Sequence, residues 1–368
     1  MILSVKYWLT RIRAHLDLPL LIIVLILMTA GMATIYSATY AGDASRLSNQ
    51  AVSMILALMV MLAVAQVAPQ HLMRFAVPLY LFALALLICV AFFGVVVNGS
   101  RRWLSLGVIR IQPSEIMKIA MPLMLAWYFH KREALINAKT FTVAALILLI
   151  PIAFILKQPD LGTSILVGAA GFFVIFFAGL PWKAMLGLAV SAVAAFPFLW
   201  DGLHDYQRRR ILTLFDPTSD PLNAGYHIIQ STIAIGSGGT FGKGWLNGTQ
   251  AHLKFIPEKH TDFIFAVFAE EWGLVGSAFL IFLFICLAGR GLMIAAAAPS
   301  LFSRLLAASI AMVLFTYAFV NMGMVSGILP VVGVPLPFIS YGGTALVTLM
   351  LGVGILMSVH THRVLVKK

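Results

Sequence analysis

The stretch from Phe255 to Glu271 reads Phe-Ile-Pro-Glu-Lys-His-Thr-Asp-Phe-Ile-Phe-Ala-Val-Phe-Ala-Glu-Glu. It brings carboxylates, a lysine and a histidine to the point where a long polar loop runs into an apolar helix. Ionisable groups at membrane depth are costly unless they are paired or hydrated, so such a cluster predicts a functional site. We predict that Asp262 is its central residue, the alternative being that Asp262 only caps the helix.

The composition around that stretch is typical of a membrane protein. Hydrophobic residues make up 61% of the 368 positions and charged residues 10%, whereas charged residues make up about a quarter of a soluble globule. Ten apolar stretches are each about long enough to cross ~30 Å of hydrocarbon. We therefore predict an all-α polytopic membrane protein, a single domain over residues 1–368, with about ten transmembrane helices near 18–39, 50–67, 74–96, 113–129, 140–156, 163–180, 183–200, 263–288, 304–326 and 338–359.

A large loop, residues 201–262, separates the seventh predicted helix from the eighth. Connections of this length usually have a function. Its stretch 224–235 has a helical pattern, and the face with Tyr226, Ile229 and Ile233 is predicted to lie in the membrane interface. The glycine-rich stretch 237–244 looks superficially like a nucleotide loop. A P-loop would need glycine in place of Ser237 and serine or threonine in place of Gly244, so we expect no nucleotide.

The charges predict the orientation. Lys and Arg gather at both termini and in alternate short loops, which predicts cytoplasmic termini and an extracytoplasmic loop 201–262. Most acidic residues fall on the opposite face, which would place chemistry there, although acids could simply avoid the basic loops. Arg101, Arg102 and Arg110 also fall on that face, against the rule, which suggests a role outside. The net charge of +12 is scattered over the loops rather than gathered in one stripe, so nucleic acid is not expected as a partner.

Five ordered motifs carry a family resemblance that runs from the first predicted span to the last. They are Gln158-Pro-Asp-Leu-Gly-Thr163, Ala224-Gly-Tyr-His-Ile-Ile-Gln230, Gly242-Lys-Gly-Trp245, His260-Thr-Asp-Phe-Ile-Phe265 and Pro335-Leu-Pro-Phe-Ile-Ser-Tyr-Gly-Gly343. Together they resemble the SEDS family of shape, elongation, division and sporulation proteins. The elongation members are the more similar branch, and a division role is the alternative within the family.

The resemblance implies an inverting peptidoglycan glycosyltransferase that polymerises lipid II during cell elongation and the maintenance of rod shape. Its substrates would be lipid II and a glycan linked to undecaprenyl pyrophosphate, with Mg²⁺ or Mn²⁺ as the expected divalent cation and no nucleotide. It also implies a class B penicillin-binding protein, the transpeptidase of the elongation complex, as partner. The protein would lie in the bacterial cytoplasmic membrane, with its active site facing the periplasm.

Candidate site residues follow from this chemistry. The attacking alcohol must lose a proton, and Asp262 would accept it as general base. Cations would offset the charge of the departing pyrophosphate, although any outer arginine could instead contact lipid headgroups. The candidate cations are Arg101, Arg102, Arg110, Arg208 and Arg210.

The remaining candidates each have a structural alternative. Glu115 and Lys118 could contact substrate or only pair with each other on one helix. Asp160 could hold the metal, as could Asp262, or it could position substrate or cap a helix. His260 belongs to the family motif around Asp262. Ser340 lies in a charge-free loop with prolines and glycines, which could line the site or only begin the last helix.

Two functions of other classes remain open. A lipid II flippase should have polar groups along a path through both leaflets, whereas the acidic residues here crowd the outer half. A non-catalytic scaffold for the penicillin-binding protein would tolerate the change Asp262→Asn. The asymmetry of the acidic residues favours the one-sided enzyme.

Overall fold

The computed structural model describes residues 15–39, 44–97, 100–105, 110–202, 205–219, 224–253, 255–256 and 258–362. The structure is a helical bundle, and each of the ten predicted spans coincides with a helix. In chain order these helices are α1 (Leu18–Thr39), α2 (Ala44–Ala65), α3 (Pro69–Phe93), α4 (Pro113–Lys131), α5 (Ala138–Lys157), α6 (Leu161–Phe177), α7 (Trp182–Gly202), α11 (Ile264–Ala296), α12 (Leu301–Val325) and α13 (Gly343–Thr361).

By length and composition, seven helices among the described residues could cross a membrane. The other three predicted spans are less apolar or shorter. Helix α4 carries Glu115, Lys118 and Lys131 within its 19 residues. Helix α6 has 17 residues, and in α7 the apolar stretch whose side chains the structure describes, Trp182–Ala195, is also shorter than 18 residues. The prediction of a polytopic helical membrane protein is confirmed.

A small antiparallel sheet follows α3 and was not predicted. Its strands are β1 (Val95–Val97), β2 (Ser100–Ser105) and β3 (Arg110–Ile111), in the order β1-β2-β3. The β-branched valine run, which the sequence pattern assigned to the third span, favours a strand once it leaves the helix at Gly94. This sheet carries Arg102 towards the beginning of α6.

Helix α12 lies at the centre of the bundle, where it packs on α4, α6, α11 and α13. Its buried residues extend from Phe302 to Val325 and occur on all sides of the helix. A helix that is apolar all round and packed on several neighbours forms the core of such a bundle. Its C-terminal half passes beside the segment that contains Asp262.

The long loop between α7 and α11 contains α8 (Asp205–Phe215), a short 3₁₀ turn, α9 (Ala224–Ser237) and α10 (Thr249–His252). Helix α9 confirms the predicted helical stretch and extends it to Ser237. Its buried residues Ile228, Ser231 and Ala234 lie on the side that packs on α11 and α12. Ser231 Oγ donates a hydrogen bond to the Val325 carbonyl oxygen at 2.8 Å. The loop is thus fixed to the bundle, and the interfacial position of the face with Ile233 stays a prediction.

Candidate active site

Asp262 lies directly before α11 and is half-buried. The helix begins at Ile264, its N-cap residue is Phe263, and no side chain caps it. The alternative that Asp262 serves as a helix cap is therefore wrong. A carboxylate that is not used to cap the helix, and that keeps part of its surface accessible, is free to act on another molecule.

Asn321 of α12 fixes the backbone at Asp262. Its side-chain amide is fully buried and donates to two carbonyl oxygens, that of Asp262 at 2.8 Å and that of Val334 at 2.7 Å. Buried backbone carbonyls are costly to leave unpaired, so this amide connects two segments that would otherwise lack regular partners. Asn321 was not predicted, although a polar residue inside an apolar span was a signal available in the sequence.

The charge-free loop 330–342 packs directly against the Asp262 segment. Ser340 is 6% exposed; its hydroxyl donates to the Thr261 carbonyl oxygen at 2.7 Å and accepts from the Leu336 amide at 2.8 Å. The Tyr341 amide donates to the His260 carbonyl oxygen at 2.8 Å. The loop therefore packs on the Asp262 segment, and the expectation that it lines a substrate site stays a prediction. Ser340, however, uses its hydroxyl within the protein, beneath the site rather than towards a ligand.

The surroundings of Asp262 tune its acidity. Burial of the carboxyl and the nearby charge of Glu258 raise the pKa of Asp262 to about 6, while the charges of Arg102 and Arg210 act in the opposite direction. A general base is most effective when its pKa lies near the working pH, because it is then mostly ionised and still basic. Two of the predicted cations are therefore close enough to act on Asp262.

Asp160 caps a helix, as one of the two alternatives predicted, and also contacts Arg102, which was not predicted. It caps α6, since its Oδ1 accepts from the Thr163 amide at 3.1 Å and its Oδ2 accepts from the Thr163 hydroxyl at 2.9 Å. The same Oδ2 accepts from Gln112 Nε2 at 3.1 Å and lies 3.5 Å from an Arg102 guanidinium nitrogen. Asp160 thereby orients Arg102, which in turn influences Asp262.

Glu115 and Lys118 form the predicted pair on α4, with Lys118 Nζ 2.6 Å from Glu115 Oε1. Lys118 also lies 5.1 Å from the centroid of the Tyr317 ring of α12. Beside Glu115, a mostly apolar cavity of about 420 Å³ opens between α2, α4 and α13. Gln112 lines this cavity and also donates a hydrogen bond to Asp160. It therefore connects the cavity to the Asp160–Arg102 pair.

The other predicted residues lie on β2, β3 and α8 and in the segment before α11. Arg101 is exposed on β2, and Arg110 lies in β3. Arg208 of α8 donates through Nε to the Trp200 carbonyl oxygen at 2.9 Å. His260 is half-buried beside Asp262 and reaches the charge-free loop through its backbone. The structure thus gathers Asp262, Arg102, Arg210 and Asp160 into one region, with Glu115 and Lys118 beside it.

Comparison with curated proteins places this chain among cell-wall synthesis proteins. The peptidoglycan glycosyltransferase MrdB of Escherichia coli K12 is 51% identical over 97% of this chain and 96% of its own length. The probable peptidoglycan glycosyltransferase FtsW of Geobacter metallireducens is 36% identical over 94% of this chain and 95% of its own. FtsW of Geobacter metallireducens is thus less similar to this chain than MrdB is, which favours the elongation branch of the family over the division branch.

Solved structures that resemble this chain also belong to cell-wall synthesis and cell-shape proteins. A chain of a peptidoglycan synthase complex that coordinates polymerization and crosslinking matches with a TM-score of 0.83 at 35% identity, covering 95% of this chain and 98% of that chain. The rod shape determining protein RodA of Thermus thermophilus matches with a TM-score of 0.72 at 31% identity, over 95% of this chain and 97% of that chain. The family model for FtsW, RodA and SpoVE, described as cell cycle proteins, matches residues 17–365. This chain belongs to the FtsW, RodA and SpoVE family.

Proposed function

We propose that Asp262 is the general base with which this peptidoglycan glycosyltransferase polymerises lipid II into glycan strands. The 4-hydroxyl of the GlcNAc of one lipid II attacks the anomeric carbon of MurNAc on the growing strand, and Asp262 accepts the hydroxyl proton. The bond from that carbon to the lipid pyrophosphate breaks, and the configuration inverts. The supporting observation is a partly accessible carboxylate with a pKa raised to about 6, next to two arginines and on a pinned backbone.

Arg102 and Arg210 would act on the leaving group. Negative charge grows on the pyrophosphate as the bond breaks, and fixed cations in a partly desolvated site stabilise it more than water does. Arg102 is held in place through Asp160. Arg101, Arg110 and Arg208 would contact the rest of the substrate or the lipid headgroups.

A divalent cation, Mg²⁺ or Mn²⁺, remains part of the proposal. Among the described residues, no three His, Cys, Asp or Glu side chains converge in a way that could hold a metal ion. Mg²⁺ is commonly bound by one or two carboxylates together with substrate phosphates, so a full protein cage is not needed. Both oxygens of Asp160 already accept hydrogen bonds, and Asp262 must stay uncoordinated to accept the proton, so the cation would take most of its ligands from the pyrophosphate and water. The cation would supply further charge neutralisation at the pyrophosphate.

The lipid tail of the substrate requires an apolar path beside the site. The cavity next to Glu115 has a suitable character, because it is mostly apolar, lies between three helices and is bordered by Gln112 and the Glu115–Lys118 pair. We propose that the prenyl chain of lipid II enters here and that Lys118 and Glu115 face its polar end. Variants that fill the cavity, such as Thr344→Trp, should then raise the KM for lipid II.

The proposed function includes a partner protein and an orientation in the membrane. A class B penicillin-binding protein is the proposed partner, since a structural neighbour belongs to a complex that couples polymerization to crosslinking. We place both termini in the cytoplasm and the Asp262 end of the bundle at the periplasm, following the distribution of Lys and Arg. The relation to MrdB supports a role in elongation.

Purified protein with its transpeptidase partner, lipid II and Mg²⁺ or Mn²⁺ tests the proposal. Wild-type protein should make glycan polymer. Asp262→Asn should lower the rate at least about 10²-fold, because general-base catalysis typically contributes that much, while the variant still folds and binds the partner. Asp216→Asn, the same change on an exposed residue of the same loop, is the matched control and should polymerise normally.

Each alternative predicts a different result. A scaffold would leave glycan synthesis by the complex unchanged in Asp262→Asn. A flippase would move labelled lipid II across vesicle membranes without making polymer. Polymer made by Asp262→Asn at the wild-type rate would remove Asp262 as the base.

A further inference from the structure

Helix α11 is broken at Gly273, and a segment of the long loop occupies the break. Gly273 has φ 65° and ψ −160°, outside the helical region. In an intact helix the amides of Leu274 and Val275 would donate to the carbonyls of Glu270 and Glu271. We call residues 238–244, which lie against these four residues, the inserted segment.

The inserted segment replaces the two lost helical bonds with four new ones. The Leu274 amide donates to the Gly239 carbonyl at 2.9 Å, and the Val275 amide donates to the Thr240 carbonyl at 3.0 Å. In return, the freed carbonyls of Glu270 and Glu271 accept from the amides of Lys243 and Gly244, both at 3.0 Å. The two amides and two carbonyls that lose their helical bonds each have a new partner, which membrane depth requires.

Three glycines make this close approach possible. A Cβ on Gly238 would lie 2.2 Å from the Ala269 carbonyl oxygen, and one on Gly242 would lie 2.0 Å from the Glu271 carbonyl oxygen. A Cβ on Gly273 would lie 2.3 Å from the Gly242 amide nitrogen. Any larger residue would force the two backbones apart. The glycine pattern that looked superficially like a nucleotide loop thus has a packing function.

An ion pair fixes the inserted segment in the break. Lys243 Nζ lies 2.6 Å from Glu270 Oε1, and Glu270 is fully buried. The Glu270 carboxylate also accepts from the Thr249 hydroxyl at 3.0 Å and from the Gln250 amide at 3.1 Å. We call the Lys243–Glu270 pair the lock. Lys243 of the inserted segment and two residues of α10 thus supply the donors to this buried carboxylate, which would be costly to leave without its cation.

The same unit also contacts the beginning of α11. Helix α9 leads directly into the inserted segment, and its His227 ring stacks on Phe263 with the ring centroids 5.2 Å apart. Phe263 follows Asp262 in the chain. The short part of α11 between the site and the break, residues 264–272, is therefore held at one end by His227 and at the other by the inserted segment.

We propose that Lys243 and Glu270 are positioning residues for Asp262: the lock keeps the inserted segment in the helix break and so sets where residues 264–272 place the carboxylate. The inference rests on the proposed function, because it assigns these residues a role in the reaction of Asp262. Neither residue touches the substrate in this account. Their effect on the reaction passes through the break and α9.

Purified variants test the lock. Lys243→Met and Glu270→Gln each remove one charge, and the double variant removes both, so that no buried charge is left alone. We expect all three to slow polymerisation by about tenfold or more, because a shift of about 1 Å at a reacting group can cost that much. The KM for lipid II should change little, and the pH at which the rate falls off should shift, because Asp262 moves relative to Glu258, Arg102 and Arg210. Lys243→Arg, which keeps the ion pair, should restore the wild-type rate.

A second measurement is independent of polymerisation. In a Cys89→Ala/Cys286→Ala background, Asp262→Cys reports the environment of the site through its rate of reaction with a water-soluble maleimide. Removing the lock should change this rate at least about threefold, whereas Lys139→Met, the same change on an exposed lysine of α5, should not. If wild-type protein makes no polymer, the proposed function fails, and the maleimide rate still decides on positioning. An unchanged maleimide rate and pH profile in the folded double variant would overturn the inference.

Discussion

At the level of single residues, Asp262 depends on groups far away in the sequence. Its backbone carbonyl accepts a hydrogen bond from Asn321, and the carbonyl of its neighbour Thr261 accepts one from Ser340. The pKa of Asp262 depends on burial and on the charges of Glu258 and the two arginines. A carboxylate can act as a reliable base only if its backbone stays fixed while its side chain remains accessible. The backbone bonds provide the first property, and the half-buried position provides the second.

The pH dependence of polymerisation should report Asp262. Because its pKa is raised to about 6, the rate should fall as the pH drops through that value and the carboxylate becomes protonated. Arg210 lowers this pKa, so Arg210→Gln should raise it and move the acid limb of the profile to higher pH. Arg209→Gln removes an exposed charge from the preceding position of α8 and should move the acid limb of the profile less. Equal shifts for both variants would contradict the assignment.

Substitution of Asn321 should destabilise the protein and slow the reaction. Asn321→Leu keeps the size of the side chain but leaves the carbonyls of Asp262 and Val334 without a donor. Each buried group that loses its partner costs about 1–3 kcal/mol, so thermal unfolding in detergent should occur at clearly lower temperature, and polymerisation should slow as well. Thr316→Val is the control, because the Thr316 hydroxyl bonds only within α12, to Met312. Losses no larger than those of the control would argue against the role of Asn321.

At the level of elements, the charge-free loop 330–342 is held between two helices. A Cβ on Gly31 of α1 would lie 2.7 Å from the Phe338 carbonyl oxygen, and one on Gly162 of α6 would lie 2.5 Å from the Val332 carbonyl oxygen. Phe338 itself has φ 64°, which a residue other than glycine rarely adopts without support from its surroundings. The loop that carries Ser340 is therefore fixed by packing from both sides.

Substitution of these glycines should loosen the loop. We expect Gly31→Ala and Gly162→Ala each to lower the free energy of unfolding by about 1–3 kcal/mol, because an added methyl in a tightly packed contact forces backbone shifts. Gly187→Ala on α7 is the matched control, since a Cβ there meets nothing within 4 Å. Alanine favours a helix over glycine, so the control should be neutral or slightly stabilising. Thermal unfolding of the three variants, measured side by side, would show whether the contacts matter.

At the level of the whole molecule, a second ionic cluster joins three helices at the end opposite to Asp262. Asp17, directly before α1, is 1% exposed and bonds to Arg290 of α11, with its Oδ1 3.0 Å from the Arg290 Nε. His360 of α13 places its Nε2 3.3 Å from the Asp17 carboxylate. The cluster connects the first and the last helix of the bundle to the long helix that carries the break.

This cluster should make stability depend on pH. Burial raises the pKa of Asp17, but the hydrogen bonds from Arg290 and the Leu20 amide and the charge of His360 outweigh it and lower the pKa below 3.8. A lowered pKa in the folded state means that the stabilisation is present at neutral pH and lost as the pH falls through the folded value. Asp17→Asn should lower the melting temperature at pH 7, and the difference from wild type should shrink near pH 3. A difference that stays constant between these pH values would contradict the assignment.

Much of the fold could be predicted from local sequence. Apolar runs of membrane length can satisfy their backbone hydrogen bonds only as helices, so the ten predicted spans coincide with helices. Asp262 was selected as the candidate base because ionisable groups are rare at membrane depth, and that role stays a prediction. The Glu115–Lys118 pair followed from spacing on one helix and is confirmed. The β-sheet after α3 was missed, because a short valine run is apolar in either a helix or a strand.

The helices, the membrane class and the candidate acidic residue can be read from the sequence alone, because they depend on composition and on spacing within one segment. Three contacts became visible only in the folded protein: Asn321 holds the Asp262 backbone, Asp160 contacts Arg102, and the glycine-rich stretch of the long loop fills a break in α11. Each of these contacts joins residues that are distant in the chain. No local pattern specifies such a partner, because the hydrogen bond forms only after the packed helices have brought both groups together.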